Sequence, residues 1–365
     1  MENRTASVEV LSSEQSARWE ELYKELPANL RDINFSFDYN FLYEKNGDGN
    51  IRLFYFTEDS FVYFYPFLIR PVIIDGMPTP YQDVETVYGY TGPISSSNNP
   101  DFIQKATSAF KQYCESENII SEFIRFHPLL RNEGLVSVEA GIKVYGLRDY
   151  VYVDLKKTED EIWKGYSSQN RNKIRKAEKQ GVKIEAVSDQ ENFSVFVDLY
   201  LQNMKLLNAA KMYFFSKDFF EGLFELAIKE GVIFIARSEK EVLGAAVFLG
   251  GGPIAHYFLA AASVEGKKMA AGNLLLHHGI KWSQQNGMLK LHLGGGVTED
   301  PDDPLLVFKN NFSVQTEKFY IGKRIHDQGA YDSLVKEWDR KFPEAALKYQ
   351  NILQRYRWRK EDIAE

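Results

Sequence analysis

The residues with the greatest chemical reach lie late in the sequence. A strand-like run, Lys290-Leu291-His292-Leu293, ends in Gly294-Gly295-Gly296, and Leu305-Leu306-Val307-Phe308-Lys309-Asn310-Asn311-Phe312 follows. Glycines at the C-terminal end of a strand let a substrate come close to the backbone. A lysine nearby can stabilise an oxyanion or hold a phosphate, and Lys309, next to Phe308, is in place for either role. An attacking amine must lose a proton, so a neutral imidazole at His292 is a candidate general base; it can equally be a packed strand residue. His256, His277 and His278 pose the same choice. The six histidines show no HExxH or other ligand spacing, and no metal is expected. Cys114 is the only cysteine, which excludes intramolecular disulfides and fits a reducing cytoplasm.

A second constellation is cationic. In the run Ser168–Val182, Arg171, Arg175 and Lys179 sit at i, i+4 and i+8 and share one helix face, with Lys176 close by. Ile174 and Ala177 can point to a core. Cations aligned this way repel one another unless an anion faces them, and a diphosphate on a lipid-linked or nucleotide-linked sugar suits the surface. The plainer reading is a solvated helix face. The third feature is the loop Asp83-Val84-Glu85-Thr86-Val87-Tyr88-Gly89-Tyr90-Thr91-Gly92-Pro93. Tyr88 and Tyr90 can stack on a sugar or line a groove, or they can cover a domain interface.

These groups must be positioned by elements legible in the chain. At 365 residues, two domains are expected, 1–154 and 155–365, the last helix being a candidate to pack back on the first. Apolar residues at 44% and charged residues at 26% describe a folded globular protein. The net charge of −7 means that any phosphate-rich partner must meet a local basic patch. No run of about 18 apolar residues is present, and the N-terminus lacks an apolar signal region. In the first half, strands are expected near Val8–Leu11, Ile51–Thr57, Phe61–Ile69, Ile119–His127 and Lys143–Asp154. Helices are expected over Ser13–Leu26 and Pro100–Ser116, with Thr79–Pro93 as a loop. In the second half, one long helix is expected over Thr158–Lys179, then the strand Val182–Ala186 and helices over Glu191–Asn208 and Ser216–Lys229. Strands Val232–Arg237, Glu241–Leu249 and Ile254–Ala262 follow, then a helix Asn273–Gln285, the strand Met288–Leu293 and a late strand Phe319–Ile325. A closing helix covers Tyr331–Arg357 and is interrupted at Pro343. The fold class is α+β: two tandem domains, each a mixed and mostly antiparallel sheet flanked by helices.

The segment Ser168–Val182 resembles the opening of the second domain in Fem-type aminoacyltransferases, which build peptidoglycan cross-bridges, and in Fem-like GNATs of polysaccharide clusters. The glycine-ended strand followed by Phe308-Lys309-Asn310-Asn311-Phe312 resembles the FKxxF segment of the same families, and Asp83–Pro93 resembles their TPYGYGGP segment. In order, these resemblances span about Asp83 to Ile325. They imply two tandem GNAT-like domains and an acyl or aminoacyl transfer to an amine. The implied acceptor is a cell-envelope precursor, a peptidoglycan stem amine or an amino sugar of a polysaccharide. They also imply that Phe308 and Lys309 line the acceptor channel, with Gly294, Gly295, Tyr257, Tyr88, Tyr90, Arg171, Arg175 and Lys176 as substrate-binding residues. His292 departs from the family, which tends to carry an acidic residue there.

GNATs hold the pyrophosphate of acyl-CoA on a Q/R-x-x-G-x-G/A loop at a helix N-terminus. Lys267-Lys268-Met269-Ala270-Ala271-Gly272 is similar, with Ala270 in place of the middle glycine. Lys267, Lys268, Gly272 and Asn273 are therefore the donor-binding candidates. Fem enzymes lack the loop because their donor is aminoacyl-tRNA, so the donor stays open between acyl-CoA and aminoacyl-tRNA, neither tightly bound. For tRNA, the basic stretches are Arg171–Lys179 and Gln354–Lys360, whose interleaved Tyr356 and Trp358 suit stacking. Expected partners are a phosphate-bearing glycan or peptidoglycan precursor and, with that donor, tRNA. A lipid-linked acceptor would add peripheral membrane contact at a cytoplasmic location. Rival readings are an aminoacyl-tRNA-dependent transferase acting on another small amine or peptide, and a non-catalytic binding protein descended from a GNAT pair.

Overall fold

The computed structural model describes residues 6–74, 76–136, 141–239 and 241–363. The chain forms two compact units. One comprises Met1–Leu30, Asn34–Gly146 and Phe319–Glu365; the other comprises Arg31–Ile33 and Leu147–Lys318. The strand Lys143–Asp154 crosses the boundary at residue 147, and the C-terminal helices belong to the first unit.

Both units are built by the same sequence of elements. The first runs strand Ser7–Ser12, helices Ser16–Glu25 and Phe37–Lys45, strands Asn50–Glu58, Phe61–Ile74 and Met77–Glu85, helix Pro100–Ser116, and strand Ile119–Arg125. The second runs strand Lys183–Val187, helices Gln190–Leu206 and Lys217–Glu230, strands Gly231–Ser238, Glu241–Leu249 and Ile254–Ala262, helix Ala271–Gln285, and strand Lys290–Gly294. In each unit the first four strands pair antiparallel in chain order. The fifth pairs parallel with the fourth. A parallel neighbour requires a crossover, and the helix between the fourth and fifth strands supplies it. This repeat is the tandem α+β arrangement expected from the sequence. Each sheet is extended by one further antiparallel strand. In the first unit, Ile321–Ile325 pairs with Ser121–Arg125. In the second, Val151–Asp154 pairs with Lys290–Gly294.

Alternation along the strands sets the cores. In the second unit Ala255, Leu291 and Leu293 pack with Leu274, Leu275 and Ile280 of the crossover helix and with Ile174 and Ala177 of the basic helix. Residues two apart along a strand share a face, so His256 and His292 occupy the opposite face. In the first unit Phe54, Tyr65, Phe67 and Phe110 form an aromatic core at ring spacings of 5.0–5.5 Å.

The structure differs from the sequence expectation in three places. The helix expected over Thr158–Lys179 is two helices, Glu159–Gly165 and Ser168–Lys179. Thr158 makes a capping box with Glu161, and Ser167 caps the second helix by accepting from the Asn170 N–H. The second cap interrupts what composition alone reads as continuous. The loop expected from Thr79 is a strand over Met77–Glu85. Pro78 and Pro80 are tolerated because the second neighbour joins only at Gln82. The closing helix is interrupted at Pro343 as expected, but it begins at Gln328 and its second piece, Pro343–Lys348, stops short of Arg357.

Candidate active site

In the second unit the parallel pairing of Ile254–Ala262 with Lys290–Gly294 covers three residue pairs and ends at His256↔His292. Beyond that pair the two strands diverge, and Gly294, in the left-handed region at φ +80°, turns the chain away. A sheet that opens between two parallel strands leaves a crevice at their carboxyl ends, where ligands of open α/β sheets bind. The matching pair of the first unit stays laced past Glu85↔Phe123. The Thr86 and Thr91 N–H groups donate to the Phe123 and Arg125 carbonyls, each at 3.1 Å. The Thr86 hydroxyl accepts from the Arg125 N–H at 2.9 Å. The open end is a feature of the second unit.

Two imidazoles sit at this opening. The His256 and His292 rings are 5.5 Å apart, both nearly fully buried, and Tyr150 lies 5.6 Å beyond His292. Nε2 of His256 is 2.8 Å from Oδ2 of the fully buried Asp32. A carboxylate on one ring nitrogen fixes tautomer and orientation and stabilises the imidazolium formed when the other takes a proton. His292, the base candidate of the sequence, thus has as its neighbour a histidine that carries the carboxylate. Asp32 gives no signal in the sequence, because 224 positions separate it from His256.

The glycine run is held from three sides. Lys309 Nζ donates to the Gly295 carbonyl at 2.7 Å. Arg148 donates to the carbonyls of Gly296 and Val297 at 2.7 and 2.6 Å. Asp303 Oδ2 accepts from the Val297 and Thr298 N–H groups at 3.0 and 2.9 Å, while its Oδ1 caps the helix Pro304–Asn310. A side chain on Gly295 would run into the Tyr150 ring. Asp303-Pro304 is a helix-start signal, an N-cap residue followed by proline at N1, that sequence reading can find. Lys309 lies on this helix and is 7% exposed. Burial lowers its pKa from 10.5 to about 7, with Asp303 opposing the shift and Arg148 adding to it. Asp303 falls to about 2: burial raises its pKa, and the hydrogen bonds it accepts from Thr298, Leu306 and Leu305 outweigh that.

The donor candidates surround the N-terminus of the helix Ala271–Gln285. Ala270 precedes it in the left-handed region, at φ +57°, with no side-chain cap. That is the conformation in which a glycine is unstrained, and the position is the one where the related loops carry glycine. Without a cap, the first N–H groups and the positive end of the helix dipole remain to attract an anion. Lys267 Nζ bonds Asn203 at 3.3 Å, and the exposed Lys268 pairs with Glu265 at 3.0 Å. Gly272 faces Phe308, whose ring would be 4.0 Å from an added Cβ. Asn273 donates to the buried Asn170 Oδ1 at 2.9 Å, and Asn170 donates to the Asn311 carbonyl at 3.1 Å. Asn170 therefore ties the basic helix, the donor helix and the segment carrying Lys309 together.

The other site candidates are placed elsewhere. Arg171 donates to the carbonyls of Lys164 and Tyr166, closing the end of the preceding helix, and Arg175 lies 5.4 Å over the Trp163 ring. Lys176 is exposed. The cationic face is thus split: Arg171 is engaged with backbone, and Arg175 lines a groove of about 340 Å³ with Trp163, Tyr166 and His277. His277 accepts or donates at 3.1 Å with the Tyr166 hydroxyl, and burial lowers its pKa to about 4. Tyr257 stacks on Phe248 at 5.3 Å toward the crossover helix. Tyr88 and Tyr90 belong to the first unit. There the Tyr88 carbonyl accepts from Tyr39 at 3.1 Å, and Tyr90 packs edge-on to Phe319.

Residues 165–301 match the acetyltransferase (GNAT) domain family. Nothing among curated proteins matches the sequence. Among solved structures, FemX is similar with a TM-score of 0.67 at 14% identity, over 87% of this chain and 98% of that one. The chain has the Fem-like GNAT fold. A conserved protein of unknown function from Bacteroides thetaiotaomicron aligns at a TM-score of 0.57 and 8% identity, over 88% of this chain and 100% of its own. The C-terminal domain of a putative lysylphosphatidylglycerol synthetase from Agrobacterium fabrum gives 0.51 at 14% identity, over 87% and 94%. The segment that matches the GNAT domain family lies within the unit whose parallel pair opens. No helix among the described residues is long and apolar enough to cross a membrane.

Proposed function

We propose that the second unit transfers an acyl or aminoacyl group from a phosphate-bearing donor to the amine of a cell-envelope precursor. The acceptor would be a peptidoglycan stem peptide or an amino sugar of a polysaccharide. The observation that carries this reading is the opening at His256↔His292 beside an imidazole bonded to a buried carboxylate. The amine nitrogen attacks the donor carbonyl; the C–N bond forms and the bond to the thiol or ribose oxygen breaks. The amine's proton passes to the His256–His292 pair, with Asp32 stabilising the cation, and the leaving group takes up a proton. Lys309 in its charged form faces the developing oxyanion or a phosphate. The donor's phosphates dock at the uncapped start of the Ala271–Gln285 helix, with Gly272 and Asn273 in its first turn and Lys267 and Lys268 at the rim. Acyl-CoA and aminoacyl-tRNA both meet that description. Arg175 and Lys176, exposed on the basic helix, are the remaining cations for an acceptor phosphate. The resemblance to FemX and to the lysylphosphatidylglycerol synthetase domain supports an envelope acceptor.

Incubation with acetyl-CoA or aminoacyl-tRNA and amine-bearing envelope precursors, read by mass spectrometry, tests this directly. A new amide that disappears in Lys309→Ala and His256→Asn supports the proposal; a product formed equally by both variants overturns the assignment. The rival reading, binding without turnover, is favoured by the alanine at position 270. It predicts saturable ligand binding with no acylated product from either donor.

A further inference from the structure

The connection between the helices Gln190–Leu206 and Lys217–Glu230 concentrates large apolar side chains at the surface. Leu206, Leu207, Met212 and Phe214 are 72%, 58%, 50% and 37% exposed. Four large apolar side chains facing solvent within residues 206–214 form a patch rather than a scatter. The same stretch contains no aspartate or glutamate over residues 204–217 and carries the exposed Lys205 and Lys211, with Lys217 at its end paired to Glu221 at 3.2 Å. This concentration of positive charge stands on a chain of net charge −7.

The connection is firmly rooted. Asn208, left-handed at φ +48°, ends the first helix, and a short turn over Lys211–Tyr213 follows. The Tyr200 hydroxyl donates to the Tyr213 carbonyl at 3.0 Å. Phe215 turns inward and stacks on Phe219 at 4.0 Å, with Tyr200 and Phe220 completing a buried aromatic knot. The fold thus buries one set of rings and presents the neighbouring Leu206, Leu207, Met212 and Phe214 to solvent.

Apolar tips flanked by lysines are the complement of one particular surface. Anionic lipid headgroups attract the lysines, and the boundary between headgroups and acyl chains accepts leucine, methionine and phenylalanine side chains. We propose that residues 204–217 dock the second unit onto an anionic bilayer surface, with Leu206, Leu207, Met212 and Phe214 inserted at the headgroup level. The loop springs from the helix whose Asn203 bonds Lys267 of the donor loop, so a docked bilayer would lie beside the donor site. That placement rests on the acyl-transfer reading; the lipid binding itself does not.

The test uses the full chain and vesicles of phosphatidylcholine, with and without about one-third phosphatidylglycerol. Co-sedimentation with the anionic vesicles at low salt is expected, with little on phosphatidylcholine alone. The fourfold variant L206S/L207S/M212S/F214S and the pair K205E/K211E should each bind roughly tenfold more weakly, with unchanged melting. A Met212→Trp probe should shift its emission to the blue on anionic vesicles. Absence of binding, equal binding to both vesicle types, or undiminished binding by either variant overturns the proposal. So does a wild-type dimer that the fourfold variant dissolves, since a second copy would then cover the patch. Donor binding measured in solution on the same variants reports separately on the acyl-transfer reading.

Discussion

Replacing Lys309 by methionine should make the protein more stable, and more so at neutral than at alkaline pH. The side chain is 7% exposed, and its pKa falls from 10.5 to about 7. Between those values the unfolded chain holds a proton that the folded chain has released. Stability therefore rises with pH across the window, by up to about 1.4 kcal/mol per pH unit. At pH 7 nearly the whole shift weighs on the folded state, roughly 4 kcal/mol, and at pH 9 about half of that remains. Methionine fills a similar volume without the charge, at a loss of about 1 kcal/mol for the hydrogen bond to the Gly295 carbonyl. The advantage of Lys309→Met over wild type should thus shrink by about 2 kcal/mol from pH 7 to pH 9. Urea unfolding of both proteins at the two pH values measures this. A difference that is independent of pH, or that grows toward pH 9, would show that burial does not control this lysine. The same variant should lose acyl transfer, which would identify Lys309 as a group retained for function at a cost in stability.

Other perturbations probe the frame around it. Asp32→Asn, which leaves the His256 contact in place but removes the charge, should lower kcat/KM by roughly 10²- to 10⁴-fold without changing the circular dichroism spectrum; wild-type kinetics would detach the pair from catalysis. Ala270→Gly should raise the unfolding free energy by up to about 1 kcal/mol, read as a higher urea midpoint, because it relieves a left-handed alanine; a lower midpoint would show that the backbone there is not strained. Asn170→Ala should cost about 1–3 kcal/mol, since it leaves the buried Asn273 amide without its Asn170 acceptor while the Asn311 carbonyl keeps the Ser167 N–H, and it should weaken donor binding as well; a loss below about 0.5 kcal/mol would argue against the bridge. If Lys309 works as a cation, kcat/KM should fall as pH rises through about 7, and Lys309→Arg should carry that limb upward; an unmoved limb would assign it to another group.

Much of this arrangement is legible in the sequence because it is local. The hairpin strands Glu241–Leu249 and Ile254–Ala262, the crossover helix and the strand before Gly294 follow from apolar periodicity and glycine stops. The ordered resemblances imply a tandem GNAT pattern, and the repeat of elements in the two units bears out that fold class. Lys309 is recognisable from the Phe-Lys pair after the glycines, but its depressed pKa is a property of burial that spacing does not carry. The tie from Asp32 to His256 depends on long-range folding of a three-residue segment into the second unit, which no periodicity encodes. The cationic face over Arg171–Lys179 shows the converse. Its spacing is as read, but Arg171 spends its donors on the carbonyls of Lys164 and Tyr166, because the cap at Ser167 brings a helix end beside it.

On the proposed function, the opening beside His256 and the helix starting at Ala271 form a site for a phosphate-bearing acyl donor. A thermal-shift titration with acetyl-CoA and, in parallel, aminoacyl-tRNA tests it most directly, on wild type and on Lys267→Glu/Lys268→Glu. At about 100 times its Kd, a bound donor should stabilise the protein by roughly 2.7 kcal/mol. Tm should rise saturably with one of the two donors, and less in the double variant. No shift with either donor at millimolar acetyl-CoA and micromolar tRNA, or an equal shift in the variant, would contradict it.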